Sequence, residues 1–422
     1  MTPTQQFILD HRQDDVRQLA FLGDKHAEVD MPYALDQIAG WQTACHKLPT
    51  WAATGGIVYP PHLNMEQCSS EATARYKAEV LNEALSHDSH HRSFELVDLT
   101  GGFGVDFSFL SQAFDRATYV ERDEHLCALA RHNFECLGLS HVTVVCSDGA
   151  DYLRTLNVQS SVPNDRPSIV IFLDPARRDT HGRKVAGMAD CSPDVLQLAP
   201  MLMATATTVM VKLSPMLDWH EAVRQLTAAL QADTARGPVS FEVHIVSVRN
   251  ECKELLLVLS HGEAPLRVVC VNDDQRYSYE PAEDVALSPA PVISAEELMA
   301  DEAPRYLLVP NSSIMKAGCF DEIGHFYGLT SFGRSSHLFV AKQTVDGFPG
   351  KTFAISAISS MNKKALREHL RGITQANIAT RNFPLSVADL RKRLKIRDGG
   401  NFYIFATTVA RQHFLIISTP LP

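Results

Sequence analysis

The chain has 422 residues, of which 45% are hydrophobic and 21% are charged. This composition is that of a folded globular protein and excludes wholesale disorder and fibrous repeats. The formal net charge of −10 is unevenly distributed. Residues 347–422 hold twelve Lys or Arg and three acidic residues, a local charge of +9, so residues 1–346 carry −19. A basic terminal segment on an acidic body points to a nucleic-acid partner, with a merely solvated basic face as the alternative.

Neither a leader peptide nor a membrane span is predicted. The longest apolar region, residues 198–213, is interrupted by Pro200 and Lys212 and is too short to cross a bilayer. The nine cysteines form no CxxC pair and no Cys/His cluster with zinc spacing, so we expect no metal site. An odd number of cysteines without an export signal favours reduced thiols, so we expect a cytoplasmic protein.

Residues 1–90 have the pattern of a helical region. Ser69 and Ser70 are good N-cap residues for a helix predicted over 72–85, and prolines separate the earlier apolar runs. The tract HDSHHR at 87–92 contains three histidines, which could suggest metal binding. Because no further ligand spacing accompanies it, a polar linker is the favoured interpretation.

From residue 94 the chain alternates between short apolar strands and amphipathic helices, which indicates an α/β domain with a mostly parallel sheet. The predicted strands are 95–99, 117–121, 142–146, 168–173, 207–213, 241–248 and 254–260. Too few residues separate the last two for a parallel crossover, so they should form an antiparallel hairpin. Five parallel strands followed by a hairpin are typical of the Rossmann-like sheet of class I methyltransferases.

The domains that we predict are an N-terminal helical region (1–90), an α/β domain (91–263), a small α+β domain (264–346) and a basic C-terminal domain (347–422). In the last one we expect strands at 352–356, 402–409 and 413–418 and helices at 363–370 and 387–394. Its basic residues fall on or beside these helices, at Lys363, Lys364, Arg367, Arg371, Arg391, Lys392, Arg393, Lys395 and Arg397. Such a surface can contact phosphates without regard to sequence.

The strongest local signal is the run DLTGGFGVD (98–106), which follows a strand and opens a helix. Glycines there allow a ligand to approach the backbone, and the helix start offers free N–H donors. The run lacks the GxGxxG spacing of dinucleotide-binding proteins. Acidic residues stand at four successive predicted strand ends: Asp98, Glu121, Asp148 and Asp174. Ligands of open α/β sheets bind at that edge, so the pattern indicates a site for a nucleoside cofactor.

Eight strings carry a resemblance to a known family: KLPTW (47–51), EQCSSEATARYKA (66–78), DLTGGFGVD (98–106), YVERD (119–123), LDPARRD (173–179), VKLSPMLD (211–218), NECKELL (250–256) and PNSSIMKAG (310–318). With them the chain resembles bacterial class I S-adenosylmethionine-dependent methyltransferases that have a ferredoxin-like domain followed by a C-terminal THUMP-like domain. Thr100 departs from the general methyltransferase loop, where a first glycine is common.

The resemblance implies that S-adenosylmethionine is the cofactor. Asp98, Gly102 and Gly104 would then hold its methionine end, with Thr100 and Gly101 in the same loop. Glu121, followed by Arg122, would hold the ribose, and Asp148 with Gly149 the adenine. Ser70, Thr73 and Lys77 are weaker candidates for the methionine carboxylate, and a helix cap with surface polar residues is the alternative.

The string Asp174-Pro175-Ala176-Arg177 stands where nucleic-acid amino-methyltransferases have their D/N-P-P-Y/F/R motif. An exocyclic amine is a poor nucleophile, and a carboxylate with a backbone carbonyl can orient it by accepting its N–H groups. Arg177 replaces the aromatic residue, and its guanidinium could stack on a base or bind phosphate. An ion pair of Arg177 and Arg178 with Asp179 or with a neighbouring helix is the alternative.

Two further segments could line the substrate mouth, Lys212 to Pro215 and the turn at 250–253. Cys252 could be a nucleophile for carbon methylation, but no Pro-Cys pair accompanies it, so an incidental thiol is favoured.

Taken together, these motifs predict a methyltransferase that acts on an amino group of a base in structured RNA, with residues 347–422 binding the RNA. A small-molecule methyltransferase and a non-catalytic RNA-binding factor with this fold are the alternatives.

Overall fold

The computed structural model describes the chain except for residues 22–25, 87–92, 160–167, 178–186, 232–236, 282–287, 301–303 and 422. The histidine tract, Arg178 and Asp179 therefore lie outside the described residues, as does the side chain of Arg177. The chain divides into two compact units. The first comprises 1–243 and 254–265, and the second comprises 244–253 and 266–422.

The first unit begins with helices, as the sequence predicts. They are α1 (Pro3–His11), α2 (Val16–Leu19), α3 (Met31–Lys47), α4 (Pro49–Ala53), α5 (His62–Gln67) and α6 (Glu71–Ser86). Side-chain caps explain where several of them start: the oxygens of Thr2, Asp15 and Asp30 each accept a backbone N–H of the first turn. Ser70 does the same for α6 by accepting the Thr73 N–H.

An α/β segment follows these helices. Its elements are β1 (Phe94–Asp98), α7 (Val105–Leu110), β2 (Arg116–Glu121), α8 (Glu124–Cys136), β3 (Val142–Cys146), α9 (Gly149–Gln159), β4 (Ser168–Leu173), β5 (Ala176–Arg177), β6 (Cys191–Ser192), α10 (Val195–Thr205), β7 (Thr208–Leu213), α11 (Trp219–Gln231), β8 (Val239–Val248) and β9 (Glu251–His261). Single 3-10 turns lie at Ser111–Ala113 and Met188–Asp190. The division between the units falls within β8 and β9.

Six strands of this segment lie side by side in the order β9-β7-β4-β1-β2-β3, and β8 follows β9 in the same sheet, whereas β5 and β6 form a separate pair. All neighbours among these six strands are parallel except β9, which runs antiparallel to β7. Central strands such as β4 are buried along almost their whole length, because helices cover both faces of a parallel sheet. The turn between β8 and β9 is made by Arg249 and Asn250, both with positive φ, as a tight hairpin requires. The predicted fold class, a Rossmann-like α/β sheet of the methyltransferase type, is confirmed.

The second unit is α+β. After the hairpin turn it contains β10 (Arg267–Asn272), β11 (Gln275–Tyr279), α12 (Ala295–Met299), β12 (Tyr306–Pro310), α13 (Ser312–Ala317), α14 (Phe320–Phe326), β13 (Thr330–Ser331), β14 (Phe339–Ala341), β15 (Gly350–Ser360), α15 (Lys363–His369), β16 (Asn377–Thr380), α16 (Val387–Leu394), β17 (Tyr403–Val409) and β18 (Gln412–Pro420). A seven-stranded sheet in the order β13-β14-β12-β15-β18-β17-β16 runs through it.

The second unit differs from expectation in two places. The strands β10 and β11 lie in the predicted small α+β domain (264–346), for which no individual strands are predicted. The strand β15 pairs with β12 on one side and with β18 on the other. Both predicted C-terminal domains therefore contribute strands to one sheet, and the boundary at residue 346 stays a prediction.

Candidate active site

The four acidic residues of the predicted cofactor site follow strands that are neighbours in the sheet. Asp98 and Glu121 end β1 and β2, while Asp148 lies two residues past the end of β3 and Asp174 directly follows β4. These strands are parallel and adjacent in the order β4-β1-β2-β3, so their carboxyl ends share one edge. The chain leaves β1 toward β2 on one side and later returns to β4 on the other. Ligands of open α/β sheets bind at such a switch point.

The glycine-rich loop between β1 and α7 is shaped by contacts with β2 and α8. A Cβ on Gly101 would lie 2.2 Å from the ring of Tyr119, and one on Gly104 would lie 2.8 Å from Phe134. Both glycines therefore let the loop pack closely. Gly102 has a φ of +55°, and the nearest atom to a Cβ there is 3.8 Å away. The space beside Gly102 is thus open to a ligand.

Glu121 ties this loop to the end of β2. One of its carboxylate oxygens accepts the N–H of Gly102 at 2.9 Å. The other accepts the N–H groups of Arg122 at 2.9 Å and Asp123 at 3.0 Å. Glu121 remains partly exposed, whereas Arg122 is exposed and contacts Glu121 through its backbone N–H. A carboxylate held in this way is fixed in orientation and can still accept a hydroxyl hydrogen bond.

Asp148 caps α9. Its carboxylate accepts the N–H groups of Ala150 at 2.9 Å and Asp151 at 3.3 Å, and the residue is exposed. The next residue, Gly149, comes so close to β1 that a Cβ would lie 2.2 Å from the carbonyl oxygen of Leu99. These contacts give both residues a structural role at the edge where the adenine is expected.

Asp98 is buried, with 1% of its surface exposed. Its carboxylate accepts the backbone N–H of Thr100 at 2.9 Å. Burial raises the pKa of Asp98 well above its usual range, and the nearby carboxylates of Asp106 and Asp174 raise this pKa further. The protein environment of Asp98 therefore favours its protonated form over its charged form.

Asp174 is held at two points. Its backbone N–H donates to the Thr100 hydroxyl at 2.6 Å, and its carboxylate Oδ2 accepts from Lys212 Nζ at 2.6 Å. The Asp174 side chain is 41% exposed, whereas that of Lys212 is 12% exposed. Pro175 is buried and Ala176 is exposed. Ala176 belongs to β5, which pairs with β6.

A buried cluster of charges lies behind Asp174. Lys77, which has no exposed surface, contacts Glu254 at 2.6 Å and Asp106 Oδ1 at 3.2 Å. Lys212 lies 3.5 Å from Asp106 Oδ2, which also accepts the hydroxyl of Ser69 at 2.7 Å. These ionic contacts come from α6, α7, β7 and β9.

Sequence reasoning did not connect these charges. Asp106 and Glu254 stood inside the family motifs without a role, and Lys212 was assigned only to the substrate mouth. The sequence did contain a signal for a buried Lys77, because Lys77 lies at helical spacing from Thr73, Val80 and Leu81, which are buried. Lys212 likewise interrupts a buried apolar strand.

The turn at 250–253 lies in the second unit and is bound there. The Asn250 side chain accepts the N–H of Ser312 at 2.8 Å, and the Asn250 N–H donates to the Asn272 side chain at 2.8 Å. These bonds explain Asn250 as a structural residue. Ser70 and Thr73 likewise form the cap of α6, and their contact with the methionine carboxylate stays a prediction.

Two general features hold over the described parts of the chain. No described helix is long and apolar enough to cross a membrane. Among the same residues, no group of three or more His, Cys, Asp or Glu side chains is placed to hold a metal ion.

Comparison with known proteins supports the resemblance in both units. Residues 306–349 match the family model of a ferredoxin-like domain, and residues 350–420 match that of a THUMP domain-like family. A Mycobacterium tuberculosis protein (strain CDC 1551 / Oshkosh) named as an uncharacterized S-adenosylmethionine-dependent methyltransferase is 22% identical over 355 residues, covering 82% of this chain and 83% of that protein. A protein of the same description from strain H37Rv matches equally.

A solved structure matches the whole chain. The crystal structure of a candidate methyltransferase from Porphyromonas gingivalis W83 is 26% identical and covers 100% of this chain and 98% of its own, with a TM-score of 0.78. The resemblance stated from the sequence motifs is thereby confirmed. The chain is similar to S-adenosylmethionine-dependent methyltransferases over most of its length and ends in a ferredoxin-like domain followed by a THUMP-like domain.

Proposed function

We propose that this protein transfers a methyl group from S-adenosylmethionine to an exocyclic amino group of a base in structured RNA, either tRNA or rRNA. Its enzyme class follows from its relatives: the chain is an S-adenosylmethionine-dependent methyltransferase. The observation that carries the finer proposal is Asp174. It opens the string Asp174-Pro175-Ala176-Arg177 after β4, is partly exposed, and is bonded to Thr100 of the glycine-rich loop.

The residues at the sheet edge fit this cofactor. The open space beside Gly102 can admit the methionine part, and the buried Asp98 carboxyl can accept a hydrogen bond from its ammonium group. Glu121 has a fixed orientation suited to ribose hydroxyls. Asp148 is exposed at the neighbouring strand end, where an adenine amino group would need an acceptor. When bound, the cofactor supplies an electrophilic methyl group on a sulfonium.

Asp174 would prepare the amine for attack. An amine conjugated to a base has little electron density on nitrogen, so its lone pair must be turned toward the methyl group. A carboxylate oxygen of Asp174 accepts one N–H, and a backbone carbonyl at Pro175 or Ala176 accepts the other. The carboxylate also offsets the positive charge that develops on nitrogen. Arg177 would stack on the base or hold a phosphate.

The basic C-terminal segment supports RNA as the substrate. Lys363, Lys364 and Arg367 of α15 are exposed, as are Lys392 and Arg393 of α16. These side chains can contact phosphates, and the match to a THUMP-like family covers the same residues. With RNA as the substrate, we place the reaction in the cytoplasm.

The decisive experiment measures transfer of a tritiated methyl group to total RNA from a strain that lacks the protein. Nucleoside mass spectrometry then identifies the modified base. We expect label in RNA, and Asp174→Ala should abolish it while leaving the affinity for S-adenosylhomocysteine nearly unchanged. Arg224→Ala, which removes an exposed ion pair on α11, is the matched control and should be active.

Other outcomes would favour the alternative functions. Label in small metabolites but not in RNA, with activity retained after deletion of residues 347–422, would favour a small-molecule methyltransferase. Cofactor binding without transfer to RNA or metabolites would favour a non-catalytic RNA-binding factor. Loss of cofactor binding in Asp174→Ala would assign that residue a structural role instead.

A further inference from the structure

The two oxygens of the Asp174 carboxylate differ in their contacts. Within the described part of the chain, its side-chain hydrogen bond is through Oδ2 alone, to Lys212 Nζ at 2.6 Å. The Asp174 backbone is fixed separately by the Thr100 hydroxyl. One carboxylate oxygen is thus committed to Lys212, while the other accepts no hydrogen bond from the residues that the structure describes.

Lys212 is itself held from behind. Its ammonium lies 3.0 Å from the Ser69 hydroxyl and 3.5 Å from Asp106 Oδ2, and its side chain is 12% exposed. Asp106 is in turn fixed by Lys77, which contacts Glu254. An alternating series of positive and negative groups therefore runs from the interior to Asp174.

This series keeps Lys212 charged. Burial alone would lower the pKa of Lys212, but the carboxylates of Asp174, Asp106 and Glu254 raise it above its usual value. Lys77 and Lys212 lower the pKa of Asp106, so Asp106 is ionised beside both lysines. A long lysine side chain is normally mobile, whereas this one has partners on three sides.

We propose that Lys212 is a positioning residue for methyl transfer: it fixes the carboxylate of Asp174 so that one oxygen stays available to the amine of the substrate. Asp106 and Lys77 act behind it by holding the Lys212 ammonium in place. This inference rests on the proposed function, because it assigns Asp174 the orientation of the amine. It adds Lys212, which lies outside the string 174–177, to the residues that methyl transfer requires.

Three variants of Lys212 test the proposal. Lys212→Met removes the cation at similar length, Lys212→Arg keeps it, and Lys212→Gln, a shorter uncharged polar side chain, replaces the methionine variant if that variant fails to fold. Arg224→Met, at an exposed ion pair of α11, is the matched control. Thermal unfolding and binding of S-adenosylhomocysteine establish that each variant is folded.

In the first arm, single-turnover methyl transfer to total RNA from the deletion strain is measured. We expect Lys212→Met to slow it about 100-fold, as misplacement of a reacting group does, with little change in half-saturating RNA concentration. Lys212→Arg should recover most of the rate. A Lys212→Met rate close to that of the Arg224→Met control would overturn the proposal.

The second arm does not depend on RNA. Crystal structures of the Lys212 variants with S-adenosylhomocysteine should show the Asp174 carboxylate rotated in Lys212→Met or Lys212→Gln and retained in Lys212→Arg. An unmoved Asp174 in the uncharged variants would refute the positioning role. If the wild-type protein does not methylate RNA, the proposed function fails, and this second arm still decides the role of Lys212.

Discussion

The hydroxyl of Thr100 accepts the backbone N–H of Asp174 at 2.6 Å, which joins the glycine-rich loop after β1 to the end of β4. A glycine, common at this position in related loops, has no side chain to make this bond. Thr100 also donates its own N–H to Asp98. One residue therefore connects the expected cofactor side of the site to the expected substrate side.

Replacing Thr100 should show how much this hydrogen bond contributes to stability and to methyl transfer. Thr100→Val removes the hydroxyl with little change of shape and leaves the Asp174 N–H without its acceptor. We expect the free energy of unfolding to fall by about 1–2 kcal/mol, and methyl transfer to fall more than cofactor affinity. Urea unfolding and S-adenosylhomocysteine titration measure the two effects. Thr100→Ser should behave as wild type, and an equal loss in both variants would contradict this explanation.

Gly149 offers a test of the contact between α9 and β1. In Gly149→Ala the new Cβ would lie 2.2 Å from the Leu99 carbonyl oxygen, so the helix start must move. We expect a loss of about 1–3 kcal/mol in the free energy of unfolding, and weaker S-adenosylhomocysteine binding. Gly55→Ala is the control, since nothing lies within 4 Å of its Cβ position. Equal stability of the two variants would show that the approach of α9 to β1 is not tight.

The buried carboxyl of Asp98 predicts a pH dependence of stability. Its pKa is raised in the folded protein, whereas the unfolded chain releases the proton near pH 4. The folded state therefore binds the extra proton, and its contribution to stability is lost as pH rises from about 4 toward the folded pKa.

Asp98→Asn removes this contribution. Between pH 5 and pH 8, the free energy of unfolding should fall less steeply with pH in the variant than in wild type. The two slopes should differ by at most about 1.4 kcal/mol per pH unit. His244 acts in the opposite direction, because burial lowers its pKa to about 3. It is present in both proteins, so the difference between them reports Asp98. Identical slopes in urea unfolding across this range would refute the prediction.

The basic helix α16 should contribute to RNA affinity by neutralising phosphates. Replacing Lys392, Arg393 and Lys395 by Gln should weaken binding to total RNA. The slope of log affinity against log salt concentration should also become shallower, by about 0.7–0.9 for each phosphate that is no longer neutralised. The same variant should bind S-adenosylhomocysteine normally. Arg224→Gln on α11 is the matched control, and an unchanged salt slope in the triple variant would indicate that this surface is only solvated.

Residue patterns were sufficient to predict the order of the main sheet strands in the first unit. Apolar runs near 95–99 and 168–173 are strands because both faces are buried, and a short gap after residue 248 requires a hairpin. Individual strands are not predicted at β10 and β11, because the surrounding acidic and proline-rich composition obscures the apolar residues 268–271. Local composition is a weak guide where strand pairing supplies the missing stabilisation.

The sequence by itself determined that four carboxylates follow successive strands. Because these strands are parallel, the four carboxylates share one edge of the sheet. Only the tertiary structure decided what each carboxylate contacts. Glu121 and Asp148 bind backbone N–H groups, Asp98 is buried, and Asp174 is held by Lys212. Such pairings join residues far apart in the chain, such as Lys77 and Glu254, and only the packing of helices on the sheet brings them within hydrogen-bond distance.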